Sequence, residues 1–515
     1  HLMQEQPDNT AETQRIDRMQ AFAMSLSSKR QDAIQARAAS GVERRWIEAL
    51  DAYHGRDSAQ GGTTAVGAAM GERLPANNKQ PTRSTVYVQL TRQKTNAAAA
   101  RLSDMLYPTD DKNWGIKPTP VPELMDVIVT GRNADYIDQQ TQGPLPHPTE
   151  DRNISVADVA AEAMTSANKK AKAMELEIDD QLTECQYNYE GRKVIMDAAI
   201  LGTGILKGPV VVNRTMKKWQ KQGEGRDSVQ ILEVLEKKTP ASVRVDPWNF
   251  FPDSTCSDDV HQGSGTWERE YHSPRQLRDL AKVPGYLKNQ IIECLREGPQ
   301  HYTAQGGISI RDRSAEALAY DDARYELWTY VGDVDRDDLE SVGVTLPGDE
   351  LDSYSAIVVM CNNRVIKAII NPMDTGDFPY DVFIWERLDY SPWGVGIPYL
   401  MQYAQRTLNA AWRALLDNMA ITAGGQIVMD RTVIIPADGK WEITRNKIWW
   451  AVSDAGNTDI TKAFSTFEFA SHQAEFENVI RLAMQFADEE TSLPQIAQGN
   501  QGTASDNVGS MTMLM

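Results

Sequence analysis

Apolar residues recur every three to four positions over residues 12–54, first as Ile16, Met19, Phe22 and Ala23 and later as Val42, Trp46, Ile47 and Leu50, which predicts a helix. Residues 55–85 shift to Gly, Ala, Asn, Thr and Pro and read as a long surface loop. A second helix is expected from about Tyr87 to Leu106, stopped at Tyr107-Pro108 because the residue before a proline is pushed out of helical geometry. Residues 155–200 predict one or two long helices, with Leu176, Leu182, Cys185, Tyr189, Met196 and Ile200 as their apolar stripe. Gly202-Thr203-Gly204 ends that run, and the strand ILKGPVVVN follows. The region 228–333 alternates short β-like runs with one helix at about 274–297, and 355–388 is β-rich again. This is an α+β pattern without the regular β-α-β rhythm of a doubly wound fold.

The C-terminal third is more regular. In GIPYLMQYAQRTLNAAWRALLDNMAI, the spacing sets Ile397, Leu400, Ala404, Leu408, Ala411, Leu415 and Met419 on one helical face. Pro398 sits in the first turn, where its missing N–H costs nothing. A short β-rich insert follows, and then a second helix from about Ser471 to Glu489 carries Phe476, Val479, Ile480, Ala483, Met484 and Phe486. At about 1.5 Å per residue each helix is on the order of 30–40 Å long. Two such helices flanking a compact insert predict a stalk with a small head.

Composition narrows the function. The 515 residues include 12 Trp, 17 Tyr and 10 Phe, too much aromatic material for a wholly disordered chain. No run approaches the roughly 18 apolar residues of a membrane-spanning helix. With 53 Lys+Arg against 72 Asp+Glu, the net charge is −19. That balance argues against a protein that grips nucleic acid over its whole surface, but does not exclude one that must let it pass without sticking. The four cysteines stand singly and are expected to be reduced thiols; no HExxH or Cys/His cluster points to zinc.

Candidate chemistry is sparse. The pairs Gly202/Gly204 and Gly394/Gly396 lack the third glycine of a dinucleotide site, no P-loop occurs, and both pairs read as helix–strand corners. The run Asp333–Asp338 resembles a calcium loop but has Asp338 at the sixth position and Val344 at the twelfth, where Gly and Glu are needed. No GxSxG or nucleophile–His arrangement is present, so no catalytic residue, metal or cofactor is expected. The insert gathers Arg431, Lys440, Arg445 and Lys447 with Trp441, Trp449 and Trp450. Such a set can bind nucleic acid, but a small core with solvated charge, or a protein–protein surface, is the preferred reading. Gln495, Gln498, Asn500 and Gln501 lie in a neutral, hydrogen-bonding stretch near the end of the sequence.

Five segments together carry a resemblance: RLSDMLYPTDDKNWGIKP, DAAILGTGILK, VRVDPWNFFPD, ERLDYSPWGVGIPYLMQYAQRTLNAAWRALLDNM and LPQIAQGNQG. In this order they are similar to the portal protein, or head-to-tail connector, of tailed bacteriophages of the short-tailed type. The resemblance implies a wing over 1–395, stem helices at 396–422 and 470–489, a small α/β clip at 423–469 and a tunnel loop at 490–506. Residues 507–515 would begin a tunnel helix leading to a crown that this sequence does not include.

The resemblance further implies a homo-oligomeric ring, usually a dodecamer, at one capsid vertex of the virion, made in the host cytoplasm. Double-stranded DNA would enter and leave through the ring without sequence recognition. Terminase and later tail adaptor proteins would dock on it, beside capsid and scaffolding proteins, with no membrane and no cofactor. On this reading Leu408, Trp412, Leu415, Val479 and Ala483 pack the stem within one subunit or between neighbours. Arg431, Lys440, Arg445 and Lys447, which exceed the acidic residues locally, offer a positive rim to partners. Gln495, Gln498, Asn500 and Gln501 meet DNA at the narrowest point of the channel. The competing readings are a cytoplasmic enzyme of unrecognised mechanism and a capsid-associated scaffold with no DNA role.

Overall fold

The computed structural model of the chain describes residues 9–56, 84–108, 112–118, 122–130, 134–137, 144, 146–147, 152–222, 229–302, 323–348, 352–373, 375–424, 426–444, 446–452 and 463–491. Two helices, α1 (Asn9–Ala39) and α2 (Val42–His54), replace the single one expected at the N-terminus. Gly41 makes the corner at φ +70°, a left-handed setting that costs a residue without Cβ little. The expected loop at 55–85 lies almost wholly outside the described residues.

Helices α3 (Leu90–Leu106) and α4 (Pro122–Thr130) follow. Helix α5 (Val156–Glu184) opens with a reciprocal cap, in which the Ser155 hydroxyl accepts from the Asp158 N–H and the Asp158 carboxylate accepts from the Ser155 N–H. Helix α6 (Tyr187–Leu201) comes next, and the expected stripe is buried only in part, with Cys185 buried and Leu182, Met196 and Ile200 half-buried. Leu176 and Tyr189 are exposed, whereas Val194, Ile195, Ala198, Ala199 and Leu201 are buried. Helix α5 buries only the small residues Ala157, Ala160 and Ala171, which give no periodic hydrophobic signal.

The remaining strands and helices of this region run β1 (Thr203–Gln222), β2 (Val229–Val245), β3 (Phe250–Pro252), β4 (Gly265–His272), α7 (Pro274–Leu280), α8 (Lys288–Glu297), β5 (Tyr325–Asp335), α9 (Arg336–Val342), β6 (Ser353–Cys361), β7 (Arg364–Ile370) and β8 (Tyr380–Ile384). Strands β1 and β2 form a long antiparallel hairpin, irregular between Lys207 and Val210, and β8 pairs with residues 203–207 of β1. The irregularity falls at Pro209, which has no N–H to give a ladder.

Strands β3 to β7 form a five-stranded antiparallel sheet in chain order. Alternate residues of its strands feed two cores, as the two-residue period of a strand requires. On one face Trp328, Tyr330, Val358 and Met360 meet Phe22, Leu26 and Leu339; on the other Leu327, Val359 and Cys361 meet Leu277, Ile291 and Cys294. The helix expected at 274–297 is divided into α7 and α8 around Pro284-Gly285, with Gly285 at φ +91°.

Two charged features lock this fold. The guanidinium of Arg37, buried at 4% exposure, donates to the carbonyls of Trp248 and Phe250 at 2.9 and 3.0 Å and pairs with Glu43 at 2.8 Å. The acidic run that imitates a calcium loop is the entry to α9, where Asp337 and Asp338 meet Arg18 at 3.1 and 3.4 Å. Carboxylates in the first turn of a helix are favoured by its dipole. Among the described residues no group of three or more His, Cys, Asp or Glu could hold a metal ion.

The C-terminal part contains α10 (Ile397–Leu400), α11 (Gln402–Thr422), the short strands β9 (Gln426–Met429), β10 (Ile434–Pro436), β11 (Trp449–Ala451) and β12 (Phe464–Phe467), and α12 (Gln473–Thr491). By contacts the chain forms two compact units, His1–Trp46 with Asn96–Gly396 and Ile47–Thr95 with Ile397–Met515. Residues 47–95 thus group with the C-terminal helices. All strand pairs among the described residues are antiparallel, and the fold is mixed α+β. No helix of the described residues is long and apolar enough to cross a membrane.

Candidate functional site

The second unit is held together by a polar ladder on α11. Gln405, Asn409, Arg413 and Asp417 recur every four residues, so they line one face at intervals of about 6 Å. The extended segment Ser84–Val88 runs antiparallel along that face, and its alternate residues repeat at about 6.6 Å, close enough to match. The Ser84 N–H donates to Asp417 at 2.8 Å, Arg413 donates to the Val86 carbonyl at 2.9 Å, and the Val88 N–H donates to Asn409 at 3.0 Å. Gln405 closes the series, donating to the Val88 carbonyl at 2.6 Å and accepting from the Thr91 N–H and hydroxyl at 3.0 and 2.9 Å. These helical side chains satisfy backbone groups that have no strand partner.

The opposite face of α11 packs on α12. Ala404, Leu408, Ala411 and Leu415 are buried, as are Ile480, Ala483 and Ala487 of α12. Lys94, 1% exposed, donates to the half-buried Asp488 carboxylate and so ties α3 to α12 with a charge pair. Helix α12 also has a second apolar stripe: Val479, Leu482 and Phe486 are 39%, 44% and 57% exposed. On α11 Tyr403, Met419 and Ile421 are exposed as well.

Among its described residues the insert between these helices carries four short strands, and residues 425, 445 and 453–462 of the expected α/β module lie outside the described residues. Strands β9 and β12 pair, and β10 and β11 pair. Its core is Val433, Ile434 and Ala463 with Met429 and Trp449 packed against them. Val428, Ile443, Ile448, Trp450, Phe467 and Phe469 remain exposed. Among the described residues this core is small for a free-standing module.

The four basic candidates of the insert separate. Arg431 is exposed and lies over the Trp441 ring at 4.7 Å, and Lys440 is exposed. Lys447 is not a rim charge: its side chain is 5% exposed, and its ammonium donates to Asp438 at 2.8 Å and to the Lys440 carbonyl at 2.6 Å. The hydrogen bond from Lys447 holds the Asp438 carboxyl below the usual range. Arg445 lies outside the described residues. Over 423–469 as a whole the insert has six acidic residues against five basic ones, so the expected excess of positive charge belongs only to its central stretch.

A cleft of about 280 Å³ lies in the same unit, lined by α2, Tyr87 and the first turns of α10 and α11. Ala52, Pro398 and Ala410 and the rings of Tyr87 and Tyr399 supply apolar lining, and Arg56, Arg406 and Arg413 supply three guanidiniums. Glu48 and Asp51 reduce the excess to one positive charge.

No family model matches the chain, and no curated protein sequence matches it. The geometry therefore has to carry the functional argument. Of the five stem residues, Leu408, Leu415 and Ala483 are buried within the chain, Trp412 is half-buried, and Val479 is exposed. Gln495, Gln498, Asn500 and Gln501 lie outside the described residues. The ladder residues Gln405 and Asn409 and the cleft arginines were missed by the hydrophobic pattern, which reads apolar faces and is blind to polar ones. Their four-residue recurrence in QRTLNAAWRALLD is the one signal that could have found them.

Proposed function

We propose that the chain is the repeating subunit of a portal-type ring, a conduit for packaging and ejecting double-stranded viral DNA. The observation that carries this reading is the two-faced helix α12. One stripe, Ile480, Ala483 and Ala487, is buried in the chain's own fold; the other, Val479, Leu482 and Phe486, is left in solvent. A stripe of that kind on a long helix calls for a covering surface. The under-filled insert with its exposed Trp450, Phe467 and Phe469 calls for one too.

A second copy supplies both. A contact between different patches on identical chains closes into a ring when its rotation divides a full turn. The acidic balance of the chain suits such a ring: a wall of negative potential repels phosphates, so a duplex slides without being trapped. The insert, with Arg431 and Lys440 exposed, is the docking site for terminase and later for tail adaptors, and the ring sits at a capsid vertex of the virion.

Sedimentation velocity followed by negative-stain imaging tests the reading. Rings of about twelve copies with a central hole are expected. Single copies or dimers at all concentrations would overturn it.

A further inference from the structure

Residues 387–394 form a loop with a fixed base and a displayed tip. The base is closed by the bridge of Glu386 with Val395, whose N–H donates to the Glu386 carbonyl at 3.0 Å. Trp393 beside it is 3% exposed and stands edge-on to Trp46 and Phe250, with ring centroids 5.1 and 6.4 Å away. The Trp393 N–H donates to the Ser391 hydroxyl at 3.2 Å, which fixes the returning arm. At the tip Tyr390 is 89% exposed, more than any other large apolar side chain among the described residues. Its φ of +55° lies in the left-handed region, where a bulky side chain sits only at a cost. Asp389, also exposed, stands next to it. An aromatic ring held out in a strained and anchored loop has the form of a binding anchor.

The cleft of the second unit has the complementary chemistry. Its 280 Å³ offers the rings of Tyr87 and Tyr399 and the side chains of Ala52, Pro398 and Ala410 to an aromatic guest, and Arg56, Arg406 and Arg413 to an acidic one. Guanidiniums also stack on aromatic faces. We infer that Tyr390 of one copy fills this cleft in the next copy, with Asp389 meeting its arginines. Knob and cleft are different patches of one molecule, so the contact is head-to-tail, the kind that builds rings. A preformed loop loses little freedom on docking, and a buried tyrosine with an arginine beside it is the usual make-up of an interface hot spot. The inference rests on the ring reading and adds to it the pair of surfaces that sets the order of subunits.

The test is a concentration series in sedimentation velocity on the full chain. Tyr390→Gly removes the ring and relieves the backbone, and Arg406→Asp reverses the charge at an exposed position. Each is expected to raise the half-assembly concentration at least about tenfold while thermal unfolding of the dissociated subunit stays at or above wild type. Joining Asp389→Arg to Arg406→Asp is expected to recover part of the loss. A photocrosslinker at position 390 is expected to link two copies through Tyr87 or the helix Gln402–Thr422. Rings that form at wild-type concentration with both single variants, or crosslinks to another surface, would overturn this contact and leave the ring standing. A wild-type chain that stays a single copy would overturn both.

Discussion

A Cβ on Gly202 would fall 2.5 Å from the carbonyl carbon of Gly394, and one on Gly394 would fall 2.5 Å from the carbonyl oxygen of Gly202. The two Gly-x-Gly segments, 192 positions apart, are thus the two halves of one backbone crossing. Thr203 completes it, its hydroxyl accepting the Gly394 N–H at 3.0 Å. Gly202 itself sits at φ +89° as α6 gives way to β1. The glycines let the end of α6 touch the chain that leads into α10.

Gly202→Ala should therefore cost at least about 3 kcal/mol, since the new methyl meets backbone that cannot step aside and the φ is unfavourable as well. Gly41→Ala is the control. Its φ of +70° is strained too, but nothing lies within 4 Å of its Cβ, so about 1–2 kcal/mol is expected. Urea unfolding of the two variants measures both, and equal losses would show that the crossing is not tight.

Gln405→Leu should loosen the ladder on α11. The substitution keeps the helix but removes the acceptor of the buried Thr91 N–H and hydroxyl and one of two donors to the Val88 carbonyl, which keeps the Leu90 N–H at 2.9 Å. A loss of about 2–4 kcal/mol is expected, because unsatisfied buried groups cost their full desolvation. Hydrogen exchange at the Thr91 amide should accelerate in step, and protection unchanged from wild type would place the stability elsewhere.

How far the sequence foretells this molecule depends on what holds each part. The helices around Leu408 and Ile480 are legible because an amphipathic face repeats along them. The breaks at Gly41 and Gly285 are visible as glycines, though a periodic pattern runs through both. The face of α5 is misread because Ala157, Ala160 and Ala171 pack without a large apolar signal. The four-residue recurrence of Gln405, Asn409, Arg413 and Asp417 marks a polar face, but neither the ladder's partners nor the Lys447–Asp438 pair can be foreseen, since a polar side chain does not name its partner. Asn409 finds Val88 across 321 positions only after the fold has brought them together.

Alkali should weaken the first unit in a defined window. Burial pushes the phenols of Tyr107 and Tyr302 up to about 12, with Arg30 partly opposing the rise at Tyr302. In the unfolded chain a tyrosine ionises near 10. The unfolded state therefore loses these protons first. The stability they contribute is intact below about pH 10 and is lost as pH climbs from about 10 to about 12. Phenolate absorbance should show late-titrating tyrosines, fewer of them in Tyr107→Phe and Tyr302→Phe. A urea midpoint flat across that window would contradict the burial.

The basic residues of the insert should divide by role. Lys447→Gln removes the partner of Asp438 and the donor to the Lys440 carbonyl, so it should destabilise the insert and raise its proteolysis. Arg431→Gln with Lys440→Gln should leave ring and insert intact and slow the docking of terminase or adaptor, most clearly at low salt, as charges at an interface rim do. Rate constants measured at two ionic strengths separate the cases. A docking defect in Lys447→Gln with no change in proteolysis would return Lys447 to the rim.

The two stem positions Leu408 and Val479 should fail in different ways when each is replaced by aspartate. Leu408 is 1% exposed in the chain alone, so Leu408→Asp buries an unpaired carboxylate and should unfold the second unit, at a cost of several kcal/mol. Loss of rings in that variant would then say nothing about the interface. Val479 is already 39% exposed, and Val479→Asp should keep the circular dichroism and thermal midpoint of the dissociated subunit. What it charges is the outer stripe shared with Leu482 and Phe486, where a neighbouring copy has to lie. Rings should be absent at concentrations where wild type is fully assembled. If Val479→Asp assembles like wild type, the outer stripe of α12 is not the subunit interface, and the observation on which the ring reading stands is removed.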